Sequence, residues 1–225
     1  MAFDAPLSGR YGRARSDRPD ATPDAPNRLP NSPTNIESAM LETLKTLRLE
    51  AEDAVLFVTI DAAPMNLIGP ELIADLVQLI EVLDAGSPYR VAVFKSADRD
   101  FFIPHVDVTK VKEYRQEAAK LTGEASIGLL FRRLSETKAV TIAQIEGRTR
   151  GAGSEFALAC DMRFAALETA IFSQFEAAFG LTPGGGGVQH LVRLLGRGRA
   201  LEVMLTANDY TAELAAAKSL AIVTP

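Results

Sequence analysis

Gly151, Ala152 and Glu155 are the residues whose types and spacing best suit chemistry. They sit in Ile145-Glu146-Gly147-Arg148-Thr149-Arg150-Gly151-Ala152-Gly153-Ser154-Glu155, closed by Ala159-Cys160-Asp161. The apolar run Val140 to Ile145 reads as a buried strand. Small residues then let the backbone turn sharply, and an apolar helix starts behind them. Such a turn leaves free backbone N–H groups at a helix N-terminus, where the peptide dipoles favour negative charge. Glu155 lies one helical turn beyond Ala152, so a carboxylate and an anion-stabilising N–H can face one substrate atom. That is the equipment for enolate chemistry on a thioester.

The elements that must hold this turn follow from patterning. Leu47 and Leu49 alternate with polar residues, Ala51-Glu52-Asp53 turns the chain, and Val55 to Ile60 is a second strand, so a hairpin is expected. Pro64 breaks the strand and Asn66 falls in the loop. Leu72, Ile73, Leu76, Leu79, Ile80 and Leu83 predict a helix over 70–84, with Pro70 tolerated in its first turn. Val91 to Phe94 reads as a buried strand, and Asp98-Arg99-Asp100 as a turn into Phe101-Phe102-Ile103-Pro104-His105-Val106-Asp107. Helices are expected over 108–120, 124–135 and 154–159, then short strands over 162–165 and 170–172. The glycine cluster Gly184 to Gly187 precedes a helix through Leu195, and further helices cover 199–206 and 212–219. Strands alternating with helices indicate an α/β architecture with parallel pairing. No internal repeat is visible.

Composition limits the function classes. The chain has 225 residues, 47% of them apolar, enough for one domain with a sizeable core. Its net charge of −5 gives no support to a nucleic-acid partner. The single cysteine, Cys160, excludes an intrachain disulfide and reads as a small buried hydrophobe. With one Cys and two histidines, His105 and His190, no metal site is expected. No apolar run reaches the roughly 18 residues of a membrane span, so a cytoplasmic protein without a membrane partner is expected. Residues 1–34 hold six of the twelve prolines, with Arg alternating with Asp. They read as a disordered tail, and residues 35–225 as the folded domain.

Several motifs in order give the chain a family likeness. These are Gly147 to Asp161, the block Phe179-Gly180-Leu181-Thr182-Pro183-Gly184-Gly185-Gly186-Gly187 with Gln189 and Leu194-Leu195-Gly196-Arg197 after it, and Ala200-Leu201-Glu202 ahead of Leu205-Thr206. Pro64-Met65-Asn66 matches an early Pro-x-Asn loop. From about Leu47 to Ala221 the chain resembles the crotonase superfamily, whose enoyl-CoA hydratase and isomerase members bind acyl-CoA thioesters. The resemblance implies a crotonase-like spiral of ββα units, an acyl-CoA-binding domain, and assembly into homotrimers or dimers of trimers. It also implies a shortened C-terminal helical region, since related proteins continue for several more helices.

The same resemblance assigns roles by position. Two backbone N–H groups, those of Val106 and Ala152, would form the oxyanion hole. His105, Val106, Asp107, Gly151 and Ala152 would line the substrate and CoA site. Glu155 and Glu176 match the two catalytic glutamates of hydratases, with Glu176 one residue further from Asp161 than is usual. Two such carboxylates hold a water and pass its proton to the α-carbon when one is protonated and the other ionised. Glutamates also cap helices or face solvent. No cofactor is implied beyond coenzyme A as part of the substrate.

The chain departs from the pattern in the first oxyanion loop. Ile103-Pro104-His105 replaces a small Ser-Ala-Gly segment; Pro104 has no N–H, and His105 stands where glycine usually frees the backbone. His105 suits an acid, a base, a CoA phosphate contact or a plain hydrogen-bonded loop histidine. Ala62-Ala63 stands where many members carry a basic CoA contact, which leaves Lys110 and Lys112 as candidates. His190 suits a helix surface. A dinucleotide fingerprint, a P-loop and a Gly-x-Ser-x-Gly elbow each lack required residues. The expected activity is hydration of a 2-enoyl-CoA. The alternatives are another crotonase reaction (isomerase, thioester hydrolase, decarboxylase or C–C lyase) and a non-catalytic CoA-binding or assembly subunit.

Overall fold

A computed structural model describes residues 43–224. The tail expected over 1–34 lies outside the described residues.

Six strands form the main sheet: β1 (Leu47–Glu52), β2 (Val55–Ile60), β3 (Val91–Ser96), β5 (Val140–Ile145), β7 (Met162–Ala166) and β10 (Ile222–Thr224), neighbours in that order. The β1–β2 hairpin is antiparallel and turns at Asp53, whose φ is +52°. All later pairings in this sheet are parallel, with Val55 opposite Val91 and Val91 opposite Val140. Its strands are rich in valine and isoleucine because helices cover them.

A second sheet is made of three-residue strands: β4 (Phe101–Ile103), β6 (Arg148–Arg150), β8 (Ile171–Ser173) and β9 (Asp209–Thr211). The chain alternates between the sheets. β3 leads to β4 and then to α2 (Val111–Thr122) and α3 (Ile127–Ser135). β5 leads to β6 and then to α4 (Ala152–Ala159). β7 leads to β8, a 3-10 turn (Glu176–Phe179), and α5 (Gly187–Leu195) with α6 (Arg197–Thr206). This is the ββα spiral the resemblance implied, repeated in space without a repeat in sequence. The first helix, α1 (Pro70–Asp84), keeps its expected bounds, and α7 (Ala212–Ala217) is two residues shorter than expected.

The expected element types hold, with shifted ends. α2 starts three residues later than expected and stops at Gly123, which adopts the left-handed conformation. α3 starts after Ser126, whose hydroxyl accepts the Leu129 N–H at 3.4 Å. β4, β6, β9 and β10 escape sequence reading because three residues are too few to show alternation.

The small sheet sets which loops lie together. β4, β6 and β8 pair in parallel, so the segments leaving their C-terminal ends emerge side by side. Those segments are 104–107, 151–152 and 174–176. α4, buried on all sides, is anchored among them by Phe156. That ring meets Phe94 edge-on at 5.1 Å and Phe131 at 5.6 Å, contacts each contributing about 0.5–1.5 kcal/mol beyond area burial.

Candidate active site

The first wall is the loop after β4. Asn66, buried with φ +58°, braces its root: Oδ1 accepts the Ala62 N–H at 2.7 Å, and Nδ2 donates to Ser96 Oγ at 2.8 Å and Phe102 O at 3.2 Å. Beyond Pro104, Val106 forms a parallel bridge with Ile68. The Ile68 N–H donates to His105 O at 3.0 Å, and the Asp107 N–H donates to Ile68 O at 2.9 Å. The Val106 N–H lies between these groups and therefore points to the opposite edge. Pro104 thus removes no donor that the wall needs. His105 Nδ1 lies 2.5 Å from Val106 O, an acceptor, so Nδ1 carries the hydrogen. Its ring meets Phe175 edge-on at 6.2 Å.

The second wall is the turn after β6. Gly151 has φ +52° and ψ −125°, a conformation that excludes side chains. Its N–H donates to Ser173 O at 3.0 Å, and its carbonyl accepts the Glu155 N–H at 3.0 Å. Ala152 opens α4, so its N–H has no acceptor within the helix. Gly153 brings helix and strand together: a Cβ there would stand 1.9 Å from Ile103 O.

Two carboxylates complete the site. Glu155 is 2% exposed, and its Oε1 accepts the Gly185 N–H at 2.7 Å and the Gly187 N–H at 2.9 Å. Burial pushes its carboxyl up to about 7; the neighbouring Glu176 charge adds to the rise, and the N–H groups of Gly185, Gly186 and Gly187 oppose it. Glu176 is also raised, chiefly by burial, against donation from Gln174 Nε2 to its Oε1 at 2.8 Å. Its Oε2 is buried without a partner among the described residues.

A cavity of about 580 Å³ joins these groups. His105, Val106, Gly151, Ala152, Glu155 and Glu176 all line it, and much of the remaining wall is apolar, including Val108, Ile127, Phe179 and Leu181. Asp107, expected at the substrate, does not line the cavity. Its carboxylate accepts from Thr109 N at 2.9 Å and Thr109 Oγ1 at 2.6 Å, which hold it below the usual carboxylate range. It caps the turn into α2. Lys110 and Lys112 do not line the cavity, whereas Arg115 does, with Nε donating to Ala125 O at 2.6 Å. Cys160 is buried with its thiol pushed up to about 12 by burial, which makes it inert. His190 sits half-buried on α5 with its pKa lowered, chiefly by burial.

Sequence reading missed Gln174, Arg115 and the work of the glycine cluster. Arg115 lies one helical turn beyond the cavity residue Val111, a signal that exists only once α2 is known to begin there. Gly185 was visible as part of a cluster, but its need for hydrogen in place of a side chain was not: a Cβ there would stand 2.6 Å from Glu155 Oε2.

A family model described as enoyl-CoA hydratase/isomerase matches residues 50–223. The chain belongs to the enoyl-CoA hydratase/isomerase family. This is the crotonase superfamily to which the motifs pointed. Among curated relatives of this family, the short-chain-enoyl-CoA hydratase of Clostridium acetobutylicum is 31% identical over 171 residues, which cover 76% of this chain and 65% of that one. A crystal structure from Streptomyces avermitilis, provisionally assigned as an enoyl-CoA hydratase, aligns with a TM-score of 0.79 and 55% identity, over 81% of this chain and 66% of that one. Another so assigned, from Thermobifida fusca in complex with acetoacetyl-CoA, aligns with a TM-score of 0.68 and 26% identity, over 83% of this chain and 76% of that one. The chain thus spans slightly less than two thirds of the length of the Clostridium relative and of the Streptomyces structure. Among the described residues, no helix is long and apolar enough to cross a membrane.

Proposed function

We propose that this chain binds acyl-CoA thioesters and adds water to a 2-enoyl-CoA. One observation carries the reading: two interacting carboxylates and two backbone donor positions line a single cavity. The thioester oxygen lies between the N–H groups of Val106 and Ala152. Burial raises both carboxyls, and the Glu176 charge raises Glu155 further, which supports a pair with one member protonated and the other ionised. The ionised member takes a proton from a held water, and the water oxygen bonds to the β-carbon. The electron pair of the carbon–carbon double bond moves toward the carbonyl, giving an enolate that the N–H groups stabilise. The protonated member then delivers its proton to the α-carbon. The backbone hole is worth roughly 100- to 1000-fold in rate per donor.

This chemistry asks for no metal or redox cofactor; coenzyme A enters with the substrate. We assign a homotrimer or dimer of trimers on the family likeness, supported by exposed Leu205, Leu214 and Ile222, which offer apolar surface to a neighbour. We assign the cytoplasm; the buried thiol of Cys160 is compatible with a reducing compartment. Two measurements test the function: hydration of crotonyl-CoA, followed by loss of its enoyl absorbance, and calorimetric binding of acetoacetyl-CoA beside free CoA. Turnover with tighter thioester binding is expected. Tight thioester binding without hydration would assign the site another reaction of the family. Equal binding of the two ligands would leave a non-catalytic CoA-binding subunit.

A further inference from the structure

The side chain of Gln174 is a buried polar group that the proposed reaction does not use. It is 1% exposed and lies between β8 and the 3-10 turn that carries Glu176. Its Nε2 donates to Glu176 Oε1 at 2.8 Å and to Gly151 O at 3.3 Å. Both partners are acceptors, so the amide must turn its NH2 toward them. Its own Oε1 then has no partner among the described residues. The fold leaves one buried oxygen unpaired in order to hold two others.

Those two oxygens belong to the two halves of the site. Gly151 O is the carbonyl of the peptide whose N–H is that of Ala152. A donor on this oxygen fixes the peptide plane and polarises the N–H on its other side. On the opposite wall, the peptide that carries the Val106 N–H is held at His105 O by the backbone N–H of Ile68. At the glycine turn a side chain shares that task, and the same side chain grips a carboxylate.

We propose that Gln174 is a positioning residue whose single amide fixes the Glu176 carboxylate relative to the Ala152 N–H, so that proton transfer and enolate stabilisation share one geometry. This rests on the hydration reading for its kinetic consequence. Its structural consequence is independent of turnover: with the donor removed, the Glu176 carboxyl titrates higher, because a hydrogen bond to its ionised form is lost.

The test compares the full chain with Gln174→Met, which keeps volume and removes the amide, and Gln174→Glu. In Gln174→Met we expect kcat for crotonyl-CoA to fall roughly 10- to 100-fold with KM changed less than about threefold, as loss of a hydrogen bond to a charged group predicts. The pH–rate limb assigned to Glu176 should move to higher pH. Gln174→Glu donates only while protonated, so part of its activity should return as pH is lowered. Infrared difference titration of the carboxyl groups, with Glu176→Gln identifying the band, reads the same upward shift without any assay. If wild-type protein hydrates nothing, the hydration reading fails while this titration still decides the role of Gln174. An unmoved Glu176 band, an unchanged pH profile, or loss of the fold in both variants would overturn the proposal and leave Gln174 a structural residue.

Discussion

The two walls of the cavity are built to different standards. The glycine turn is fixed by contacts that permit no alternative: the conformation of Gly151, the approach of Gly153 to Ile103 O, and an α-helix buried on every side. The loop 104–107 is half-exposed beyond Pro104 and held mainly by backbone bonds to Ile68. The glycine turn keeps the small residues of its family, whereas the loop carries Pro104 and His105 in place of small ones. A donor aimed by backbone bonds tolerates changed side chains; one aimed by close packing does not. The difference explains how this chain departs from the family pattern on one wall and retains a cavity lined by both donor positions.

Substitutions can break or sharpen that contrast. The largest effect is expected at the carboxylates, which neither wall can replace. Glu176→Gln and Glu155→Gln should each lower hydration of crotonyl-CoA by roughly 10²- to 10⁴-fold, the usual contribution of a positioned acid or base, while acetoacetyl-CoA still binds by calorimetry. Unchanged turnover in either variant would remove the role assigned to that residue. Next comes Gly153→Ala, which drives a methyl into Ile103 O and must part α4 from β4. A loss of about 1–3 kcal/mol or more in urea unfolding is expected from overpacking of this kind. A variant as stable as the wild type would mean that the turn is not the rigid wall.

The pH dependence of stability tests the buried carboxyl on the rigid side. The Glu155 carboxyl is raised from 4.5 to about 7, so the native state favours its protonated form. Its stabilising contribution is full below about 4.5 and is lost as pH rises through about 7. Wild-type protein should therefore lose stability relative to Glu155→Gln between those values, by on the order of 3 kcal/mol. A difference in unfolding free energy that stays flat over this range would contradict burial as the dominant influence on the Glu155 carboxyl. The smallest effect belongs to the permissive wall. His105→Ala should change kcat for crotonyl-CoA by less than about tenfold, because the Val106 N–H is aimed by Ile68 and not by the ring. A larger loss, carried in kcat alone, would make His105 a catalytic group and equalise the two walls.

Much of the fold was legible in local pattern. The hairpin, α1 and β5 carry enough residues for their periodicity to show, and the apolar run after Gly153 announced a buried helix. Of the small sheet only β8 was legible as a strand; β4, β6 and β9 are three residues long, and the pairing partners lie tens of residues apart. The positions of Val106 and Glu176 came from family likeness, and no local pattern showed that the Asp107 carboxylate is engaged by Thr109 in a turn. Arg115 and Gln174 had no signal until the elements carrying them were in place.

By itself the sequence determined the turn at Gly151, the helix behind it and the one-turn offset from Ala152 to Glu155, because these depend on residues adjacent along the chain. Only the tertiary structure decided which other groups face that turn. Parallel pairing of β4, β6 and β8 brings the segments after residues 103, 150 and 173 to one edge, and burial there sets the protonation of Glu155 and Glu176. Sheet register and desolvation arise from contacts between residues far apart in sequence, and no local pattern encodes them.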